Sequence, residues 1–284
     1  MIGRVDIAVS TTGNTRRYVA VQPHPQLRDL LATHGLSGTE TASSPGSLIV
    51  PAEPTVSLVI DLNGARSDGF VTAAGRMHRS AAPTTPKPEA WVSLTLTLPG
   101  AYRLLGARLG ELDRPVLKLS DVLGVALAAE LAERVGEAPT WDRRFAAMQD
   151  LLTTHLTSGT APAPGVLLAW RRLVASGGTV PVGAVADEVG WSSQHLVRMF
   201  RRSFGQPPKN LARLLRLRAV LRRVRAEGSW QEAAFDAGYF DQAHFTRDLR
   251  EFTGTTPSRY LRAALPCGCV RQVNSLQDRS PDVP

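Results

Sequence analysis

The sequence predicts an α+β protein, with an N-terminal β-rich domain carrying appended helices and a C-terminal all-α domain built on an internal repeat. Three observations predict it. Short apolar runs broken by turn residues fill the first hundred positions, small and Pro/Gly residues interrupt the chain at 157–165, and a helical period with a repeat follows. The expected division is a β-rich domain over 1–156, a linker over 157–165, a helical domain over 166–265 and a flexible tail over 266–284.

In the first part, strands are expected at Ser47 to Val50, Val56 to Leu62 and Trp91 to Leu98. In the last, Val92, Leu94, Leu96 and Leu98 alternate with Ser93, Thr95 and Thr97, the period of two that a half-buried strand requires. Helical patterns follow at roughly Ser120 to Val135 and Trp141 to His155. The stretch Thr157-Ser158-Gly159-Thr160-Ala161-Pro162-Ala163-Pro164-Gly165 cannot bury apolar surface and reads as a linker.

A chain of 284 residues, 43% apolar and 20% charged, is long enough for two cores and has a globular composition. Its apolar runs, such as Ser57 to Leu62, are too short for a bilayer, so no membrane association is expected. The opening Met1-Ile2-Gly3-Arg4-Val5-Asp6 lacks a secretory core, and Cys267 and Cys269 cannot form a disulfide framework, which points to a reducing cytoplasm. The net charge is +8, and residues 166–265 hold 16 Lys and Arg against 8 Asp and Glu, so the whole excess lies in the helical domain. A basic module beside a neutral one fits attraction to a polyanion through one face.

The repeat has two units. In the first, Val182 to Val189 is a short helix, Gly190 the turn and Ser192 the N-cap of a second helix. Trp191 and Leu196 are placed as a hydrophobic staple, and Leu196, Met199, Phe200 and Phe204 make one apolar stripe. Ser193, Gln194, Val197, Arg198 and Arg201 remain on the other side. About 49 residues on, Ala233 to Ala237 is the short helix, Gly238 the turn and Asp241 the cap, with Phe240 and Phe245 as the staple. Phe245, Leu249 and Phe252 form the stripe, leaving Gln242, Ala243, Thr246, Arg247 and Arg250 free. Arg198 matches Arg247, Arg201 matches Arg250, Gly205 matches Gly254 and Pro208 matches Pro257.

Between the units, Leu211, Leu214, Leu217, Leu221 and Val224 recur at spacings of three and four, so Pro207 to about Ala226, closed by Gly228, reads as one helix. Some 19 residues at 1.5 Å each span roughly 28 Å. A turn of B-DNA is ~34–36 Å, so such a helix holds two recognition helices near successive major grooves.

The stretches Val182–Gly205 and Ala233–Arg247, with the closing Gly254-Thr255-Thr256-Pro257-Ser258-Arg259-Tyr260-Leu261, resemble the C-terminal domain of AraC/XylS-type transcription regulators. Pro99-Gly100-Ala101-Tyr102-Arg103-Leu104-Leu105-Gly106 and Trp141-Asp142-Arg143-Arg144-Phe145 are similar, more loosely, to the N-terminal region of a subset of them. The resemblance implies an all-α double helix-turn-helix domain in a bacterial, sequence-specific transcription regulator that reads two adjacent major-groove segments of a double-stranded DNA operator. It further implies RNA polymerase as a partner, and an N-terminal region that senses a small-molecule effector or forms a homodimer.

The expected DNA-binding residues are Ser193, Gln194, His195, Val197, Arg198 and Arg201 in the first unit and Gln242, His244, Thr246, Arg247 and Arg250 in the second. Arginine is the commonest specific partner of guanine in the major groove, which favours Arg198 and Arg247 as base readers. His195 and His244 stand at the third helical position, where they either bond a phosphate or support the turn. Ala243 replaces Gln194 in the second unit and cannot hydrogen-bond a base edge, so that unit relies on Gln242, Thr246 and Arg247. Arg213, Arg216, Arg222, Arg223 and Arg225 form a general electrostatic face on the connecting helix, of which only some are expected to touch phosphates.

No catalytic residue, cofactor or metal is expected. His24, His34, His78 and His155 are scattered, and neither a phosphate-binding glycine loop with its lysine nor a Gly-x-Ser-x-Gly elbow is present. Cys267-Gly268-Cys269 lacks companion ligands, and it lacks the His and Arg that follow the reactive Cys of AraC-type DNA-repair methyltransferases. The absence of catalytic motifs disfavours an enzyme tethered to DNA, and the differing recognition residues disfavour an architectural coat.

Overall fold

The computed structural model describes residues 4–11, 14–41, 48–63, 69–79, 89–112, 114–227, 230–263 and 270–271. Ser47, Gly228, Cys267, Cys269 and most of the expected tail lie outside the described residues. In the N-terminal half, β1 (Arg4–Thr11) and β2 (Asn14–Val21) form an antiparallel pair, followed by β3 (Leu31–Thr41), β4 (Leu48–Val50) and β5 (Val56–Asp61). Then come β6 (Gly69–Thr72), β7 (His78–Arg79), β8 (Glu89–Leu96) and, after a helix, β9 (Val116–Lys118). A seven-stranded antiparallel sheet has the order β1-β2-β3-β8-β5-β6-β9.

The alternation in β8 does what a period of two should. Val92, Leu94 and Leu96 are buried against Val56, Leu58 and Ile60 of β5, each pair in one sheet face. The run ends two residues before the sequence suggests, because Thr97 caps a helix there. Its Oγ1 accepts from the Gly100 N–H and donates to the Leu30 carbonyl, so Leu98 opens α1 (Leu98–Leu105) instead of closing the strand. A 3-10 helix follows at Gly106–Glu111. The helix expected over Ser120 to Val135 is two, α2 (Leu119–Leu123) and α3 (Val125–Glu137), broken where Gly124 takes φ +86°. Then α4 (Trp141–Ser158) lays Trp141, Phe145, Met148 and Leu152 on the sheet. Gly38 of β3 lies beneath Trp141, where an added Cβ would come within 2.1 Å of the ring.

The C-terminal half is helical: α5 (Pro164–Ala175), α6 (Val182–Val189), α7 (Ser193–Phe204), α8 (Pro208–Glu227), α9 (Trp230–Asp236), α10 (Gln242–Thr253) and α11 (Pro257–Ala263). A last short strand, β10 (Val270–Arg271), pairs with β4, which also pairs with β7. The helices from α5 to α10 divide between two apolar cores, and Tyr260 of α11 lies in a third, small cluster with Met77, Leu221 and Trp230. Val166, Leu173, Val185, Leu196, Phe200 and Phe204 belong to a core continuous with the sheet and α4. Leu214, Leu217, Val220, Phe245, Leu249 and Phe252 form a second, joined by Ala52 from the loop before β5. Burying a side chain of this size stabilises by roughly 1.5–3 kcal/mol, so each core is a substantial anchor.

Two further ties hold the second core to the N-terminal half. The Ala52 N–H donates to the Phe252 carbonyl at 2.7 Å, and Glu53 pairs with Arg218 of α8 at 3.1 Å.

Candidate nucleic-acid interface

Both turns are built from the residues the sequence singles out. Gly190 and Gly238 take φ +74° and +79°, a left-handed conformation that a side chain disfavours. The residue after each glycine closes the helix behind it: the Trp191 N–H donates to Ala186 O at 2.9 Å, and the Tyr239 N–H to Ala234 O at 3.0 Å. Each following helix is capped as expected. Ser192 Oγ accepts from the His195 N–H at 3.2 Å, and Asp241 Oδ1 accepts from the His244 N–H at 2.6 Å.

One expectation is overturned. From glycine to cap the first unit takes two residues and the second three, so the repeat offset is 48 before the turn and 49 after it. Tyr239, not Phe240, is therefore the counterpart of Trp191. Tyr239 is buried, packs edge-on against Phe245 at 5.5 Å and against the His244 ring at 5.1 Å, as Trp191 packs against His195 at 4.7 Å. Phe240 is the inserted residue and is 93% exposed, so it forms no staple with Phe245. The different spacings stand in the sequence; counting backwards from the cap alone hides them.

On α7, Ser193, Gln194, Val197, Arg198 and Arg201 line one open concavity, opposite the buried Leu196, Phe200 and Phe204. Arg198 is drawn back along its helix, its Nη2 3.0 Å from His195 Nδ1. On α10, Gln242, Ala243, Arg247 and Arg250 are exposed and Thr246 is half-buried, opposite Phe245, Leu249 and Phe252. Arg247 is likewise turned back, its Nε donating to the Ala243 carbonyl at 3.4 Å. His195 and His244 are half-buried under the aromatic residue of each turn. That geometry suits the turn-supporting alternative.

The arginines of α8 fall into distinct environments. Arg213 faces inward: it pairs with Asp248 at 2.7 Å and with Glu251, and lies over the Phe252 ring. Its pKa is raised, first by the hydrogen bond to Glu251, and burial opposes the shift. Asp248 is 1% exposed on its side chain and also accepts from the Tyr239 hydroxyl at 3.2 Å. The Tyr239 hydroxyl is pushed up by burial first and by the Asp248 charge second. Arg216 lies over the Tyr239 ring at 5.3 Å, and Arg223 pairs with Asp236. Arg222 is exposed, whereas the Arg225 side chain lies outside the described residues. This network ties α10 to α8, and sequence reading missed it because Arg213 and Asp248 stand 35 residues apart.

Among the described residues no three His, Cys, Asp or Glu side chains come together as a metal site, and no helix is long and apolar enough to cross a membrane.

Residues 167–263 match a family model described as a helix-turn-helix domain. No curated protein matches the chain significantly. Among solved structures it is similar to ToxT from Vibrio cholerae O395, at 12% identity over 92% of this chain and 97% of that one, with a TM-score of 0.41. The same protein bound to (E)-4-(8-methylnaphthalen-1-yl)but-3-enoic acid matches at 12% identity over 92% and 98%, with a TM-score of 0.41. ToxT from Vibrio cholerae strain SCE256 with an unsaturated fatty acid bound matches at 12% identity over 76% and 86%, with a TM-score of 0.39.

Proposed function

We propose that the chain is a transcription regulator of the AraC/XylS type that reads duplex DNA with α7 and α10 together, a reading supported by the helix-turn-helix match over residues 167–263. In this reading the two helices enter successive major grooves on one face of the duplex, and α8 sets their separation. Ser193, Gln194, Val197, Arg198 and Arg201 serve one segment; Gln242, Thr246, Arg247 and Arg250 serve the other. His195 and His244 hold the turns that aim these helices. The observation that carries the reading is the pairing itself. Two capped helices each bury an apolar stripe and leave matching arginines exposed, Arg198 with Arg247 and Arg201 with Arg250, a repeat that packing alone does not require. Recognition helices contact base edges through their N-terminal residues, the part that both caps order.

The family resemblance extends the proposal to the N-terminal half, as the receiver of a small-molecule effector and a surface for pairing two copies, with RNA polymerase as the downstream partner in a bacterial cytoplasm. The chain performs no catalysis in this reading. Selection of bound duplexes from a random pool, using the full chain with and without candidate metabolites, tests it. The expected result is a site with two conserved segments about one helical turn apart; retention of random sequence overturns the proposal.

A further inference from the structure

We infer that Phe240, with Ala243 and Thr246, forms an apolar strip through which the second unit recognises thymine methyl groups in the major groove. The inference rests on the DNA-binding reading and assigns the chemistry that its second half recognises.

The one-residue insertion places Phe240 where the fold has no use for it. Tyr239 already closes α9 and packs against Phe245, so the turn is complete without a further aromatic. Phe240 is nonetheless a phenylalanine, 93% exposed, next to the cap of α10. Its counterpart by distance from the cap, Trp191, is turned inward against the first core. Two further positions lean the same way. Ala243 stands where the first unit has Gln194, and Thr246, which matches Val197 of the first unit, carries a methyl group three residues on. Ala243 and Thr246, three residues apart on α10, are neighbours on the helix surface, and Phe240 stands just before the cap that opens that helix.

The surroundings identify the occupant. Exposed Arg247 and Arg250 flank the strip and supply positive charge for phosphates and base edges, which a purely apolar protein partner would leave unmatched. In the major groove the thymine C5-methyl is the one apolar group that a base pair offers, and Phe, Ala and the Thr methyl are the side chains that meet it. The first unit, with Gln194 in the corresponding place, keeps a hydrogen-bonding reader. The two halves of the site share an apolar position, Val197 in α7 and Thr246 in α10, and differ where Ala243 replaces Gln194 and where Phe240 is added beside the cap of α10.

The test uses the full chain and the tightest duplex selected from a random pool, with each thymine replaced in turn by uracil, which removes only the methyl group. The wild type is expected to lose about fourfold in affinity at one or more thymines in the α10 half, the scale of one buried methyl-sized group. Phe240→Ala should lose a similar factor on the unmodified duplex and become indifferent to those uracils, with its melting temperature unchanged; Phe240→Leu should keep part of both. Tolerance of uracil at every thymine by the wild type overturns the inference, and that measurement needs no variant to fold. A Phe240→Ala chain that retains the wild-type uracil profile also overturns it, as does one that loses self-association in sedimentation with that profile intact. If Arg247→Ala abolishes site-specific binding while either overturning result holds, the DNA reading stands and this inference alone falls. If the full chain selects no sequence at all, both fall.

Discussion

The first helix-turn-helix unit sets Leu196, Phe200 and Phe204 into an apolar core continuous with the β-sheet and α4, whereas the second packs Phe245, Leu249 and Phe252 into a core of its own. The ionic ties also differ in place: in the first unit Glu188 of α6 pairs with Arg172 of α5, whereas in the second Asp248 of α10 itself joins Arg213 and Tyr239, at a position that Met199 fills in α7. The first unit is thus held by its continuity with the N-terminal half. The second stands on a smaller core, and directed polar bonds fix α10 against α8. Two copies of one motif have reached similar outer surfaces from different foundations.

The largest effect should come from the element that both units share. Leu217 is 1% exposed in the middle of α8, and Leu217→Pro removes a helical hydrogen bond and clashes with the preceding turn, at ~3 kcal/mol or more. Footprinting should lose protection over two adjacent grooves; a folded variant that keeps both would show that the units do not need a common spacer.

Asp248→Asn strikes the second unit alone. It leaves Arg213 with Glu251 but without its buried carboxylate, and breaking a buried pair in this way costs about 3 kcal/mol. Urea unfolding should report that loss, and the footprint should shrink to the first unit's segment. Met199→Ala should leave the second segment protected. Equal damage to both segments from Asp248→Asn would mean that the units are not separately anchored.

Arg198→Ala and Arg247→Ala compare the two outer surfaces. Each should weaken the selected site tenfold or more, since a good base contact contributes ~1–3 kcal/mol of discrimination, and each should relax preference at a few base pairs. The affected base pairs should lie about one helical turn apart. If both variants relaxed the same base pairs, the two-segment picture would be wrong.

The smallest effect is expected at Arg222, exposed on α8. Arg222→Ala should weaken selected and random duplexes about equally and reduce the salt slope by roughly one charge. Arg213→Ala offers the contrast: it should lower stability and leave that slope unchanged, because Arg213 is spent on Asp248 and Glu251.

Local pattern revealed most of the helical half. The caps Ser192 and Asp241, the left-handed glycines and the apolar stripes are each decided by residues within one or two turns, so reading short windows finds them. The sheet was less legible. The alternation in β8 is plain, but β3 runs Leu-Ala-Thr-His-Gly-Leu-Ser-Gly-Thr-Glu-Thr, and its glycine at 38 makes sense only once Trp141 lies on it. The Arg213–Asp248 network was hidden for the same reason, and Phe240 was misplaced because an insertion of one residue leaves the helical period on either side intact.

Ala52 has a consequence for how this protein can be rearranged. It fills part of the second unit's core and hydrogen-bonds Phe252, although it lies in the loop before β5, more than a hundred residues upstream of the segment that the family model covers. A chimera that moved residues 167–263 onto another sensor would leave that spot open and the Phe252 carbonyl without its donor. The helical half is therefore not a free-standing cassette: its packing includes a three-residue piece, Pro51 to Glu53, that belongs to the N-terminal half.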